Sequence, residues 1–178
     1  MTGPAPRRPQ RSDAVLRAAT SADAAALVEL RAVMFEVMGV TPEELADPHW
    51  RRGASDWFAE RVTADGVHVV VADVDGLVVS SAVGEVTALT PGPNAPNGSV
   101  GLLSNVATRH PWRGLGLAAA CTDALLRWFV EDTDVTRVDL FATSAGAPIY
   151  AARGFTTRAF PAMCLPVPRP TARPARRE

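Results

Sequence analysis

The sequence predicts an α/β (α+β) fold with a mixed, mostly antiparallel central sheet and one parallel βαβ unit, in the order β-α-α-β-β-β-α-β-α-β. Three observations predict it. Helical periodicity dominates the first third of the chain, β-branched runs separated by Asp75-Gly76 follow, and a further strand then leads through a glycine-rich turn into a helix and another strand. With 178 residues, 47% of them apolar, the chain is long enough to bury one sizeable core, and a single domain is expected over residues 14–165. The two ends, 1–13 and 166–178, are rich in Pro and Arg and are expected to be disordered tails.

Val15 and Leu16 begin a short strand that runs into Thr20-Ser-Ala-Asp23, where a hydroxyl and a carboxylate three residues apart satisfy the free N–H groups of a helix start. Leu27, Leu30, Met34 and Val37 then recur at the spacing of one buried helix face, and Gly39 is a stop signal. Residues 41–52 read as a polar connection broken by proline, and Ser55 to Ala64 as a second amphipathic helix around Trp57, Phe58 and Val62. Asp75-Gly76 between Val67–Asp73 and Leu77–Leu89 is a strong local signal for an antiparallel hairpin. After the loop TPGPNAPNGS, Val100 to Thr108 reads as a strand, Gly114 to Val130 as a helix and Val135 to Ala142 as a strand parallel to the first. A short helix near Pro148 to Arg153 and a strand near Thr156 to Leu165 complete the order.

All 18 residues in the Lys+Arg count are Arg, so mechanisms that require a Lys on a phosphate or as a Schiff base are excluded. Between residues 12 and 168 there are 11 Arg against 18 Asp and Glu; this acidic body argues against nucleic acid and favours an amine-bearing partner. Cys121 and Cys164 suggest no disulfide framework, and the three His and two Cys show no metal-ligand spacing, so no metal is expected. Residues 86–108 are uncharged, but Pro91, Pro93 and Pro96 interrupt them, so no membrane span is expected. Lacking an apolar leader segment, the chain is expected to be cytoplasmic.

The segment Val106-Ala-Thr-Arg-His-Pro-Trp-Arg-Gly-Leu-Gly-Leu-Ala118 joins a strand to a glycine-rich turn that opens into a helix. Such a junction is an anion site: glycines admit a close ligand, first-turn N–H groups point at it, and Arg113 adds a full charge. Gly114-Leu-Gly-Leu-Ala-Ala119 also satisfies G-x-G-x-x-A, but five residues separate it from its strand and the preceding strands form a hairpin, which is the wrong context for a dinucleotide fold. Arg113-Gly-Leu-Gly-Leu-Ala118 instead matches R/Q-x-x-G-x-G/A, and Tyr150-Ala-Ala-Arg-Gly-Phe155 matches Y-x-x-x-G-F further on. On these two signatures the chain resembles the GNAT superfamily of acetyl-CoA-dependent N-acetyltransferases over roughly residues 14–160.

The resemblance implies a GNAT fold and acetyl transfer from acetyl-CoA, a co-substrate, to an amine by direct attack in a ternary complex. Val106, Ala107 and Thr108 would line the pantetheine, with the Val106 backbone holding the thioester carbonyl, and Arg113, Gly114, Leu115, Gly116, Leu117 and Ala118 would cradle the pyrophosphate. Tyr150, the one tyrosine, matches the acid that protonates the leaving thiolate; a phenol of pKa about 10 is protonated at neutral pH. An amine with a pKa near that of Lys is uncharged in only about one molecule in two thousand at pH 7, so a base is needed. The expected strand 100–108 holds no acid, which leaves Glu85 as the first candidate and Glu36 as the second. Phe35, Glu36 and Asn105 are expected to bind the acceptor, with Met34 and Trp50 as further apolar wall. A small-molecule amine is the expected partner, with a homodimer possible; a peptide amine, or acyl-CoA binding without catalysis, is the alternative.

Overall fold

The computed structural model describes residues 10–160 and 162–167. The described residues divide into two compact units, with the boundary between Thr143 and Ser144. In the first, five strands lie in the order of the chain: β1 (Val15–Ala18), β2 (Val67–Val74), β3 (Leu77–Ala88), β4 (Ser99–Thr108) and β5 (Val138–Leu140). The first four pair antiparallel and β4 pairs with β5 in parallel. The helices are α1 (Ala24–Val37), α2 (Pro42–Ala46), α3 (Pro48–Arg61) and α4 (Leu117–Glu131), with α5 (Ala147–Ala151) in the second unit. Among the described residues no helix is long and apolar enough to cross a membrane.

Local chemistry accounts for most of these boundaries. Asp23 accepts from the Thr20 N–H and hydroxyl ahead of α1, and Gly39, at φ +88°, follows its end. Asp75 and Gly76, at φ +50° and +85°, make the tight turn between β2 and β3. Both faces of this hairpin are covered, which is why its valines run without alternation. Leu27, Leu30, Phe58 and Val62 pack with Val69, Val71 and Val83 on one face. The other face, where Gly84 and Gly101 leave room, takes Leu125, Trp128 and Phe129 of α4.

Three expectations are corrected. Residues 41–52 are not a broken connection: Pro42 and Pro48 each occupy the first turn of a helix, where a missing N–H costs nothing, and Thr41 and Asp47 cap them by accepting from Glu44 and His49 N–H groups. The second predicted helix therefore begins at Pro48, not Ser55. The strand expected over 135–142 is only Val138–Leu140, because β4 supplies partners from Gly101 to Leu103 and no further. Finally, the described residues of 156–165 form no strand. A strand needs a ladder as well as a pattern, and Pro161 and Pro166 have no N–H to give one. Of the expected tails, residues 1–9 and 168–178 lie outside the described residues, whereas Arg11–Asp13 forms a single 3-10 turn in which Asp13 accepts the Gln10 N–H at 2.9 Å.

Arg17 ties β1 to both neighbours, donating to Asp23 at 2.7 and 2.8 Å and to Asp73 at 2.7 and 3.1 Å. The Arg17 hydrogen bonds hold the nearly buried Asp23 carboxyl at about 2 despite its desolvation. A depressed carboxyl stabilises the fold above its unfolded pKa, and that contribution disappears as pH falls from about 4 towards 2. Asp23→Asn is expected to cost about 1–2 kcal/mol at pH 7, with the gap from the parent protein closing near pH 2. Urea melts across this range check it; a gap independent of pH contradicts the assignment.

Candidate active site

The end of β4 is pinned before the chain turns into α4. Arg109 donates its N–H to the Val79 carbonyl and its Nε to the Val78 carbonyl, both at 2.8 Å, and His110–Trp112 makes one 3-10 turn. Gly114 and Gly116 then both take φ +77°, a left-handed conformation that strains any residue with a Cβ. This double reversal delivers Leu117 and Ala118 as the first helical residues, with N–H groups that precede the helix's own acceptors. Arg113 is exposed beside them, its Nε donating to the Thr108 carbonyl at 3.1 Å. A second cation shares the place: a Cβ built on Gly116 would lie 3.3 Å from Nη1 of Arg11. Arg11 falls within the expected tail, since no local pattern connects it to a turn a hundred residues away.

The strand feeding this turn loses its parallel neighbour. Among the described residues, pairing of β4 with β5 stops at Leu103↔Leu140 and no strand lies against the β5-facing edge of residues 104–108. On the β3 side the register slips, Val83 opposing Ser104 and Ser81 opposing Ala107, so that Asn105 and Val106 form a bulge with Asn105 at φ +50°. Of the three residues expected along the pantetheine, Ala107 is buried and its carbonyl accepts from Ser80 Oγ at 2.8 Å. The Thr108 carbonyl takes Arg113, as above. Val106 lies in the bulge between them, half-buried.

Beside the bulge, on the α1 and α3 face of the sheet, is a cavity of about 680 Å³ whose lining includes Arg31, Phe35, Trp50, Trp57, Glu85 and Asn105. Phe35 and Trp50 meet edge to face, with ring centres 6.0 Å apart, and the Trp50 indole donates to the Glu44 carbonyl at 2.8 Å. Arg31 Nη1 donates to Asn105 Oδ1, and its guanidinium stands 4.7 Å over the Phe35 ring. Burial pushes the Arg31 pKa down, while Glu85 opposes that shift. The expected residues Phe35, Glu85 and Asn105 thus come together. Glu36 does not join them; it is exposed and outside the cavity lining. Met34 packs against the core instead. Arg31, Trp57 and Glu44 were not anticipated, although Arg31 precedes Phe35 by one helical turn and so shares its face. Among the described residues no His, Cys, Asp and Glu gather as a metal site.

In the second unit Tyr150 lies on α5, buried. Gly154 turns at φ +85°, the Phe155 N–H returns to the Tyr150 carbonyl at 3.2 Å, and the two rings meet edge to face at 6.0 Å. The spacing of this second signature is therefore a helix stop that folds an aromatic ring back onto the tyrosine. Burial pushes the phenol pKa above its ordinary value, so it stays protonated at neutral pH.

No protein-family profile matches the chain, and no curated protein matches it. Solved structures do. A GCN5-related N-acetyltransferase from Ralstonia eutropha JMP134 superposes with a TM-score of 0.76 at 22% identity, covering 86% of this chain and 98% of that one. A predicted acetyltransferase from Clostridium acetobutylicum, solved with acetyl-CoA, superposes with a TM-score of 0.75 at 20% identity over 85% of this chain and 96% of that one. An aminoglycoside acetyltransferase from an uncultured soil sample, solved with trehalose, gives 0.64 at 12% identity over 89% and 99%. At these identities the likeness is one of fold, and the fold is that of the GNAT N-acetyltransferases.

Proposed function

We propose that this chain, with its GNAT N-acetyltransferase fold, moves an acetyl group from acetyl-CoA to the amine of a small molecule by direct attack in a ternary complex. One observation carries the reading: the open edge of β4 has a cradle for an anion at its end and a cavity at its bulge. A long ligand with a diphosphate at one end and a reactive acyl group at the other fits that sequence of features.

In this reading the N–H groups of Gly114 to Ala118, with Arg113, hold the diphosphate. The Val106 backbone holds the acetyl carbonyl. The amine nitrogen bonds to the carbonyl carbon as the carbon–sulfur bond breaks; Glu85 takes the proton that the amine loses, directly or through a water held by Ser104 and Asn105. Tyr150 gives its proton to the departing thiolate, so the proton count balances. Neither acid–base group needs a covalent enzyme intermediate.

A CoA-release assay over a panel of small amines, amino acids and peptides tests the proposal. Release with small amines and not with peptides is the expected result; acetyl-CoA binding without release on any amine identifies a non-catalytic acyl-CoA-binding module instead. Calorimetry with Arg113→Ala tests the cradle separately. The variant is expected to bind acetyl-CoA about ten times more weakly, the size of one charge-assisted hydrogen bond. Unchanged affinity removes Arg113 from the site.

A further inference from the structure

Four charged residues line the acceptor cavity; Glu44 and Asp47 are engaged as helix caps with Thr41 and His49, whereas Arg31 and Glu85 carry opposite charges that are not spent on each other. Arg31 enters from α1 and Glu85 from β3, and Glu85 acts on Arg31 through its field alone, since they form no ion pair with each other. Arg31 makes one side-chain hydrogen bond to a described residue, to Asn105, which leaves most of the donors of its fork. Glu85 makes none. Around them the wall is aromatic, with Phe35, Trp50 and Trp57.

We propose that the acceptor is a free α-amino acid with an apolar or aromatic side chain: its carboxylate on Arg31, its amine between Glu85 and the β4 bulge, and its side chain against Phe35, Trp50 and Trp57. This rests on the acetyl-transfer reading and narrows its substrate class. Arg31 and Glu85 then each meet a ligand group of opposite sign, and the Arg31 fork donates to the carboxylate in a two-point bond. The arrangement disfavours a peptide N-terminus, which has an amide where the carboxylate belongs and leaves the guanidinium desolvated without its anion. Arg31 is held for this role from two sides, by Asn105 and by the Phe35 ring.

The experiment uses the full chain with acetyl-CoA and matched acceptors: L-phenylalanine, L-tryptophan and L-methionine beside phenethylamine, tryptamine and the three methyl esters. The free acids are expected to exceed their decarboxylated and esterified partners by about 10- to 100-fold in kcat/KM, mostly through KM. Arg31→Met is expected to abolish that preference by slowing the acids alone, and Arg31→Lys to restore part of it. Decarboxylated or esterified amines that react as well as the acids overturn the amino-acid assignment and leave acetyl transfer standing. Failure of every amine to release CoA overturns both. The parent-protein comparison of acids with esters stands even where a variant fails to fold.

Discussion

Phe129→Ala is expected to destabilise the protein by about 3–5 kcal/mol, the usual range for deleting a buried aromatic ring. Phe129 is 2% exposed, lies 4.7 Å from the Trp128 ring, and fills the space that glycines leave in two strands. A Cβ built on Gly101 would come within 2.7 Å of its Cε1, and one on Gly84 within 3.1 Å of its Cζ. Neither β4 nor β3 can rise to meet α4 when the ring is gone, because the glycines have no side chain to extend into the cavity. Chemical denaturation is expected to show a lower midpoint with an unchanged slope. A loss below about 1 kcal/mol would mean that the site collapses around the smaller residue, contrary to the close packing described. Gly101→Val makes the opposite error in the same place and is expected to destabilise by about 1–3 kcal/mol through overpacking.

Tyr150→Phe is expected to lower kcat by about 100-fold or more while leaving the KM for acetyl-CoA and the melting temperature little changed. Phenylalanine keeps the ring that meets Phe155 and removes only the hydroxyl. Because burial raises the phenol pKa, its proton is retained to higher pH than in a free tyrosine. The alkaline limb of kcat assigned to this group is therefore expected above pH 10, and absent from the variant. Steady-state CoA release from pH 6 to 11 reads both effects. Equal kcat in the two proteins dismisses Tyr150 as the acid, and a fall in kcat together with a lower melting temperature assigns it a structural part instead.

The two motifs that suggested the reaction were legible because each is closed within a few residues. Gly114 and Gly116 supply left-handed turns that few other residues tolerate, and Gly154 does the same for the turn after α5. The proline-started helices are equally local: Pro42 and Pro48 read as breaks on composition, but the caps Thr41 and Asp47 stand beside them in the sequence. That signal was present and local. The strand expected at 156–165 differs, because alternation of side chains describes what a strand requires and says nothing of whether a partner strand is there.

The sequence alone determined the order of the first four strands, the hairpin at Asp75-Gly76, the Thr20 to Asp23 start of α1 and the paired-glycine turn ahead of α4. Each depends on dihedral preferences and hydrogen bonds made within about five residues, which composition and spacing express directly. The tertiary structure decided where β4 parts from β5, which carboxylate faces the cavity, and that Arg31 meets Asn105 from 74 positions away. It also brought Arg11 to Gly116. These juxtapositions follow from how whole helices lie on whole strands, a packing outcome governed by volumes and buried surface across the core, for which no short stretch of sequence carries the information.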